Sequence, residues 1–599
     1  MRNRPVILLA TSLATSLTAL AVGVPAATPL SAPIQESMGV PSSAWADSGS
    51  RYIVRVEPDA VPAVIAAVRS GGAVVAVQEA LNTLVVEVDP VTAERLSFLP
   101  GVVDVSPDSA VHPQSLGFTP STQPGSMTNI TRITGASAAW TKGYTGSGVD
   151  VALIDTGVAP VPALKDSAKV VVGPDLSFES QDRDLIHLDS YGHGTHMAGI
   201  IAGREVARGT GANYARDTTN FYGMAPDARL VSLKIADNQG AVDVSQMIAA
   251  VNWVVQNKNT NGMNIRVLNL SYGSASPQDP RMDPLSWAAE VAWRNGIVVV
   301  ASVGNEGDNV PGLSNPAYNP WVIAVGAVDT RGTDARTDDV VPSFSARAGG
   351  NWGTRGPDLV APGVSVISCG VPGGNIFATY SAARIGNNFL KGSGTSQATA
   401  VVSGAVADLL QARPSLTPDQ VKALLRSTAT PLAGQTVAAQ GAGELNLATA
   451  LTAAVPATQN QTTGNGGGSL ESARGGFHVS LDGQQLNGEI DIMGHSWSGA
   501  QLAVAMGQRT IWGADGLYNG TLWTGGGFVS DTTTWAGRTW QGRTWQGRTW
   551  QGAWSGRTWQ GRTWLAKTWT GSAWTSGSWS SSVGSTTWNS QIWAGAGWK

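Results

Sequence analysis

Between residues 128 and 455 the chain alternates short, unbroken apolar runs with stretches of helical spacing, and few folds accept that alternation. Val149–Ile154, Leu230–Ile235, Ile265–Leu270, Ile297–Ala301 and Trp321–Val325 are short and continuous, without the polar–apolar alternation of a strand with one wet face. Such runs suit parallel strands buried on both faces. Val244–Gln256 and Pro284–Asn295 carry helical periodicity between them. Parallel strands joined by helices wind right-handed into a doubly wound α/β sheet, the predicted fold class of this region. In an open sheet of that kind, ligands sit beyond the carboxyl ends of the strands.

The 599 residues exceed what one core usually holds, so further units are expected on either side. Residues 1–26 read as a signal peptide: Arg2 and Arg4 precede an apolar stretch that ends at the small-residue pattern Val24-Pro25-Ala26. Ala44-Trp45-Ala46 is a second cleavage candidate, but it lies far from the apolar stretch. Pro and Gly close that stretch too early for a membrane anchor. Residues 51–112 predict a small α+β unit, with strands at Tyr52–Val56, Leu84–Val88 and Val102–Val105 and helical spacing between them. Ala73–Val77 leaves room for one more strand.

Past the central region, residues 456–469 have the Gly, Asn and Thr content of a flexible linker, and 470–530 alternate polar and apolar residues like a small β-rich region. Residues 531–599 form a Trp-rich, pentapeptide-like repeat tail. Trp535, Trp540, Trp545 and Trp550 recur every five residues, and the period resumes at Trp554 after a one-residue slip. Five matches neither a helical face nor strand alternation, which points to short strands with Gly turns or to a repetitive solenoid. The tryptophans serve either as the core of that repeat or as platforms that stack on cell-wall glycans beside the tail's arginines.

A formal net charge of −4 over this length gives no pull toward nucleic acid or a membrane surface. The single cysteine, Cys369, has no partner for an intramolecular disulfide, so core size or bound ions must hold an exported chain together. It follows the alternating Val364–Ile367 and reads as a buried structural thiol.

Three motifs carry the chemistry. Val151-Ala152-Leu153-Ile154-Asp155-Thr156-Gly157 is an apolar strand ending in a carboxylate, at the edge where ligands sit. Alone, Asp155 would serve equally as a turn cap. Gly192-His193-Gly194-Thr195-His196-Met197-Ala198-Gly199 opens a helix on which Thr195, Gly199 and Gly203 recur at i+4 as a smooth packing face. His196 lies three residues from His193, not at the i+4 spacing of zinc helices, and reads as structural. Gly392-Ser393-Gly394-Thr395-Ser396-Gln397-Ala398 brings a close-packed glycine turn to a helix start, where the Ser396 oxygen is exposed and its N–H points at a developing oxyanion. By itself Ser396 would also pass for an N-cap. Taken together, a serine nucleophile, an imidazole base and a carboxylate that fixes the imidazole tautomer make a complete acyl-transfer set, in the order Asp, His, Ser.

With these motifs the region 128–455 resembles the subtilisin-like serine peptidases, the subtilases. The resemblance implies a serine endopeptidase with Asp155, His193 and Ser396 as its triad. It also implies an oxyanion hole formed by Asn305, within Val298–Gly307, and the Ser396 N–H. Ser271, Tyr272 and Gly273 would pair with extended substrate, and Ser302, Val303 and Gly304 would wall the pocket for the residue before the scissile bond. Residues 51–112 become an inhibitory propeptide, removed by self-cleavage around 112–128, and the enzyme becomes a secreted, extracellular one acting on protein or peptide substrates, with the tail as its means of retention at the cell surface through cell-wall or glycan contacts. The chemistry needs no cofactor. A structural calcium is a family expectation that the stretch Arg204–Phe221 does not support, and no metal ligands are assigned. Gln397 departs from the methionine that usually follows the family's nucleophile.

Rival readings fit less well. Ile154-Asp155-Thr156-Gly157 resembles an aspartic-protease motif, but that mechanism needs two carboxylates, and Asp47-Ser48-Gly49 lacks an apolar strand before it. Near Gly146 and Gly148 the strand follows the glycines, the reverse of a dinucleotide site. The remaining alternative is a surface-anchored binding protein acting through its Trp-rich tail.

Overall fold

The computed structural model describes residues 50–107 and 123–520, apart from short gaps, together with 579–583 and 586–587. The expected signal peptide, the 112–122 part of the expected processing region and most of the Trp repeat lie outside the described residues. The chain divides into two compact units, 1–112 and 113–599.

In the first unit β1 (Ser50–Val56), α1 (Val61–Arg69), β2 (Ala73–Gln78), β3 (Thr83–Val88), α2 (Pro90–Leu96) and β4 (Val102–Pro107) follow in order. The strands form an antiparallel sheet ordered β2-β3-β1-β4. Val64 and Val68 of α1, with Ala93 and Leu96 of α2, pack against Val54, Val56, Leu84, Val86 and Val88. Asp89 caps α2 by accepting from the Val91 and Thr92 amides.

The second unit opens with α3 (Met127–Thr134) and α4 (Ala136–Thr141). It continues through β5 (Asp150–Asp155), β6 (Val170–Asp175), α5 (His193–Ala202), α6 (Gly211–Arg216), β7 (Arg229–Lys234), α7 (Val244–Asn257), β8 (Ile265–Leu270), α8 (Pro284–Arg294), β9 (Val298–Ser302), β10 (Ile323–Val328) and β11 (Leu359–Pro362). Its main sheet has seven strands in the order β11-β10-β9-β8-β5-β7-β6, every neighbouring pair parallel. All residues of β5, β9, β10 and β11 are buried, which is why these runs carry no alternation. A small antiparallel sheet of β12 (Val366–Cys369), β13 (Arg384–Ile385) and β14 (Phe389–Gly392) follows, with α9 (Asn375–Thr379) between β12 and β13. Next come α10 (Thr395–Ala412), α11 (Pro418–Thr428), α12 (Val437–Gln440) and α13 (Leu447–Ala450). α10 packs along the sheet against β8, β9, β10 and β11, and against α5.

Two sequence expectations need correction. Residues 456–469 are not a free linker. Gln459 Nε2 donates to the Trp321 carbonyl and to Asp419, Gly464 N to Glu290, Asn465 N and Gly466 N to the Arg281 carbonyl, and Gly468 N to the Met282 carbonyl. The glycines serve close approach instead: a Cβ on Gly466, whose φ is +61°, would stand 2.3 Å from the Trp287 ring.

The described part of 470–530, up to Gly520, is likewise not a separate β-rich region. α14 (Leu470–Arg474), β15 (His478–Leu481), β16 (Gln484–Gln485) and α15 (Gly499–Gln508) mix both structures. Leu470, Ala473, Leu502, Ala503, Met506 and Trp512 join the core of the main sheet. The spacing of Leu502, Ala503 and Met506 makes a helical face that small neighbours disguise in sequence. From the tail, β17 (Trp579–Val583) pairs antiparallel with β15, and β18 (Thr586–Thr587) with β17.

Candidate active site

Asp155 is the last residue of β5, and His193 is the first of α5. Their side chains meet with His193 Nδ1 2.7 Å from Asp155 Oδ1, both buried. A carboxylate can only accept, so Nδ1 carries the proton and Nε2 is the basic nitrogen of the neutral ring. The Thr156 amide also donates to Asp155 Oδ1, at 2.8 Å.

His193 is held from below as well. α5 starts on Gly192, whose φ of 110° is the left-handed region that favours glycine and which has no side chain to cap the first turn. The turn is organised by Asp189, a buried carboxylate that sequence reading missed. Its Oδ1 accepts from Thr156 Oγ1 and from the Tyr191 and Gly192 amides at 2.7, 3.2 and 2.6 Å. Its Oδ2 accepts from Thr195 N and Oγ1 at 2.7 and 2.6 Å. Burial pushes the Asp189 carboxyl pKa up, and the hydrogen bonds from Thr195, Gly192 and Thr156 oppose that rise. Thr156 Oγ1 accepts in turn from the Gly194 amide. Asp155 and His193 thus sit in one frame of buried hydrogen bonds. The only sequence signal was an Asp four residues before the histidine.

Close packing fixes the rest of α5. A Cβ on Gly194 would stand 2.2 Å from the Gly157 carbonyl oxygen, and one on Gly199 2.3 Å from Ser368 Oγ. Cys369, beside Ser368, is buried, and burial pushes its thiol pKa up, away from nucleophile chemistry. His196 is buried too. Burial, and then the neighbouring His193, lowers its pKa to about 3, so its ring stays neutral.

Ser396 is the second residue of α10, which begins beyond Gly394 with no side-chain cap. Its Oγ donates to the Ser271 carbonyl at 3.3 Å. The next residue, Tyr272, sets its ring edge-on to the His193 imidazole with centroids 5.9 Å apart. Ser271 and Tyr272 therefore bring the serine and the histidine to one cleft. Asn305 reaches the same helix start: its Oδ1 accepts from Thr395 N at 2.8 Å and Thr395 Oγ1 at 3.0 Å. With its oxygen held there, the amide turns its nitrogen away from Thr395. A Cβ on Gly394 would stand 2.8 Å from Gln397 Oε1 and in ordinary contact, at 3.5 Å, with the Asn305 nitrogen.

The expected cleft walls also gather here. Ser271, Tyr272, Ser302 and Val303 are buried. Gly273 lies close against the Asn315 carbonyl, and Ser274 forms an antiparallel bridge with Asn315. Gly304, at φ 109°, accepts from Thr395 Oγ1 through its carbonyl. Among the described residues no group of three or more His, Cys, Asp or Glu side chains is placed to hold a metal ion. Within Arg204–Phe221, where the sequence showed no calcium-loop pattern, the Asp217 carboxylate accepts from Thr219 and Asn220, and from Tyr222 just beyond, and the Glu205 carboxylate accepts from Phe221 N.

The family model described as the subtilase family matches residues 146–466. Serine protease AprX of Bacillus subtilis is 34% identical over 305 residues, covering 50% of this chain and 66% of AprX, slightly under two thirds of that protein. Subtilisin DY of Bacillus licheniformis is 34% identical over 295 residues, 49% of this chain and 87% of that protein. Among solved structures, a cold adapted subtilisin-like serine proteinase covers 50% of this chain and 89% of its own at 28% identity, with a TM-score of 0.37. With a match over more than half of its length, lying on the sheet and helices that carry Asp155, His193 and Ser396, the chain belongs to the subtilase family of serine peptidases.

Proposed function

We propose that this chain is made as a secreted precursor and hydrolyses peptide bonds through an acyl-enzyme formed on Ser396. The observation that carries the reading is the buried 2.7 Å contact of Asp155 with His193, together with a serine at a helix start that begins on glycine and is held by Asn305. In the first step His193 Nε2 takes the Ser396 proton as Oγ attacks the carbonyl carbon of the scissile bond. The tetrahedral oxyanion then faces the Ser396 N–H and the Asn305 amide. His193 returns the proton to the leaving amine, the C–N bond breaks, and water repeats the sequence to free the acid. Asp155 holds the tautomer and stabilises the imidazolium throughout. Extended substrate pairs with Ser271–Gly273, and Ser302–Gly304 flank its side chain before the cut. Residues 51–112 act as the propeptide that inhibits the enzyme until it cuts itself free, and the Trp-rich tail holds the mature enzyme near cell-wall glycans. Family membership favours catalysis over the tail-only binding protein.

The test is the precursor as wild type and as Ser396→Ala, followed by mass at neutral to alkaline pH with a fluorophosphonate probe. Wild type should label and shed the segment up to 112–128, and the variant should do neither. A folded wild type that stays whole and unlabelled would sink the proposal. The expected loss in kcat for Ser396→Ala is about 10⁶-fold, the scale of the same loss in subtilisin.

A further inference from the structure

The family match ends at residue 466, yet the chain beyond it is built into the edge of the sheet that carries the site. β7 and β8 flank β5 on either side. The loop leaving β7 begins at Ile235, whose amide donates to the Asp155 carbonyl. The segment leaving β8 is Ser271–Ser274. The second is the proposed substrate-pairing segment, and the first leaves the sheet on the other side of Asp155; we term them the two rims.

The added segment grips both. Arg474 is fully buried, and its Nε donates to Asp243 Oδ2 at 2.7 Å, where Asp243 closes the β7 loop and caps α7. Its other nitrogens donate within the segment, to Glu471 and to the Gly488 and Ile490 carbonyls. Val479, Leu486 and Ile492 form a separate apolar cluster with Ala241 of that loop and with Phe178, in the stretch that leads to His193. On the other rim Ser274 Oγ donates to the Ala473 carbonyl, and Gly475 at φ +63° lies so near Ala275 that a Cβ would stand 2.4 Å from its carbonyl carbon.

We infer that residues 470–492 are a brace for the substrate cleft, with Arg474 as a positioning residue, and that the brace sets how well the enzyme binds peptides extending several residues before the scissile bond. The inference rests on the peptidase reading above. The contacts of the brace fall on Asp243, Ala241, Phe178, Ser274 and Ala275, whereas Ser271, Tyr272 and Ile235 are the residues that meet Ser396, His193 and Asp155, so loosening the brace acts on extended substrate before it acts on the chemical step. A buried guanidinium tied to two carboxylates and two carbonyls holds a loop in one register, and a lysine cannot reproduce that fork.

The experiment compares wild type, Arg474→Lys and Leu486→Ala on two substrates, a single-residue ester and a peptide with four residues before the cut. For both variants kcat/KM on the peptide should fall about tenfold, chiefly through KM, while ester hydrolysis and fluorophosphonate labelling stay within about twofold of wild type. Parallel losses on both substrates would overturn the inference, as would an unchanged peptide KM in both variants. Loss of the near-ultraviolet circular dichroism in both variants would overturn it too, because the segment would then be common core. Wild type that neither cleaves the ester nor takes the probe is a different failure, that of the peptidase reading itself.

Discussion

β5 begins and ends on a buried aspartate, and the two ends differ in what they can do. At the amino end Asp150 is gripped by Arg229, whose Nε and Nη2 donate to Oδ1 and Oδ2 at 2.8 and 2.7 Å, and by the Asn264 amide at 2.6 Å. At the carboxyl end Asp155 meets His193 at nearly the same distance. Burial, residue type and strand are shared. The partner differs: a guanidinium keeps its proton at any working pH, whereas an imidazole exchanges one near neutrality. Position decides the rest, because at the carboxyl edge the loops after β5, β7 and β8 diverge around a cleft, while Asp150 closes a strand start. A short contact between buried charges is therefore evidence of function only together with the partner's proton chemistry and the edge on which it stands.

The widest separation between the two ends should come from matched substitutions. Asp155→Asn should lower kcat about 10⁴-fold, as the same change does in other serine-protease triads, because the amide favours the wrong imidazole tautomer. Asp150→Asn should leave kcat within about twofold and lower stability by about 2 kcal/mol, the usual scale for a hydrogen bond to a charged group. Peptide hydrolysis and urea unfolding of both variants check this. An Asp150→Asn enzyme that loses activity while keeping its stability would break the comparison.

The helix starts extend the contrast. Asp243 with Gln246 caps α7, Asp283 caps α8, and Thr417 with Gln420 caps α11. The two helices that bear His193 and Ser396 start on glycine, which has no side chain to cap with, and more distant residues take that place. Thr156 and Asp189 accept from the Gly194 and Thr195 amides of α5, and Asn305 accepts from Thr395 N of α10, next to the Ser396 N–H. Asn305→Ala should therefore reduce kcat by about 10²–10³-fold with little change in KM, the scale of the equivalent loss in subtilisin. A loss confined to KM would mean that Asn305 only shapes the ground-state cleft.

How much of this was legible follows the same physics. The central strands could be read because burial on both faces leaves few polar residues in the run, Ser232, Lys234, Arg266 and Asn269 among them, and no regular alternation. β6, with Gly173 and Pro174 inside it, and the four-residue β11 are edge strands and give a fainter signal. Asp155, His193 and Ser396 stood in motifs whose residue types are chemically unusual together, and Asn305 came only from the family resemblance. Asp189 had neither signal, because a carboxylate that holds backbone amides looks in sequence like any polar loop residue. The glycines of 456–469 read as freedom, although Gly466 is there because Trp287 leaves no room for a side chain. Nothing local announces that Arg474 will be buried, since its partner Asp243 lies 231 residues away.

The smallest expected effect separates the two histidines of α5. His193 has the Asp155 carboxylate against its ring. His196, three residues on, is wholly buried, and burial with the nearby His193 holds its pKa at about 3. In the unfolded chain an imidazole takes its proton near pH 6.5. Between those values the unfolded state binds the extra proton, so the stabilisation from keeping His196 neutral is complete above pH 6.5 and is lost as the pH falls toward 3. The slope approaches about 1.4 kcal/mol per pH unit in that window. His196→Asn removes the titration, so the difference in unfolding free energy between variant and wild type should shrink from pH 7 to pH 5 as wild type loses its advantage. Urea unfolding across that range reads it directly. A constant difference would mean that the acid sensitivity of this fold lies in its other buried groups, and that the two histidines differ in partner alone.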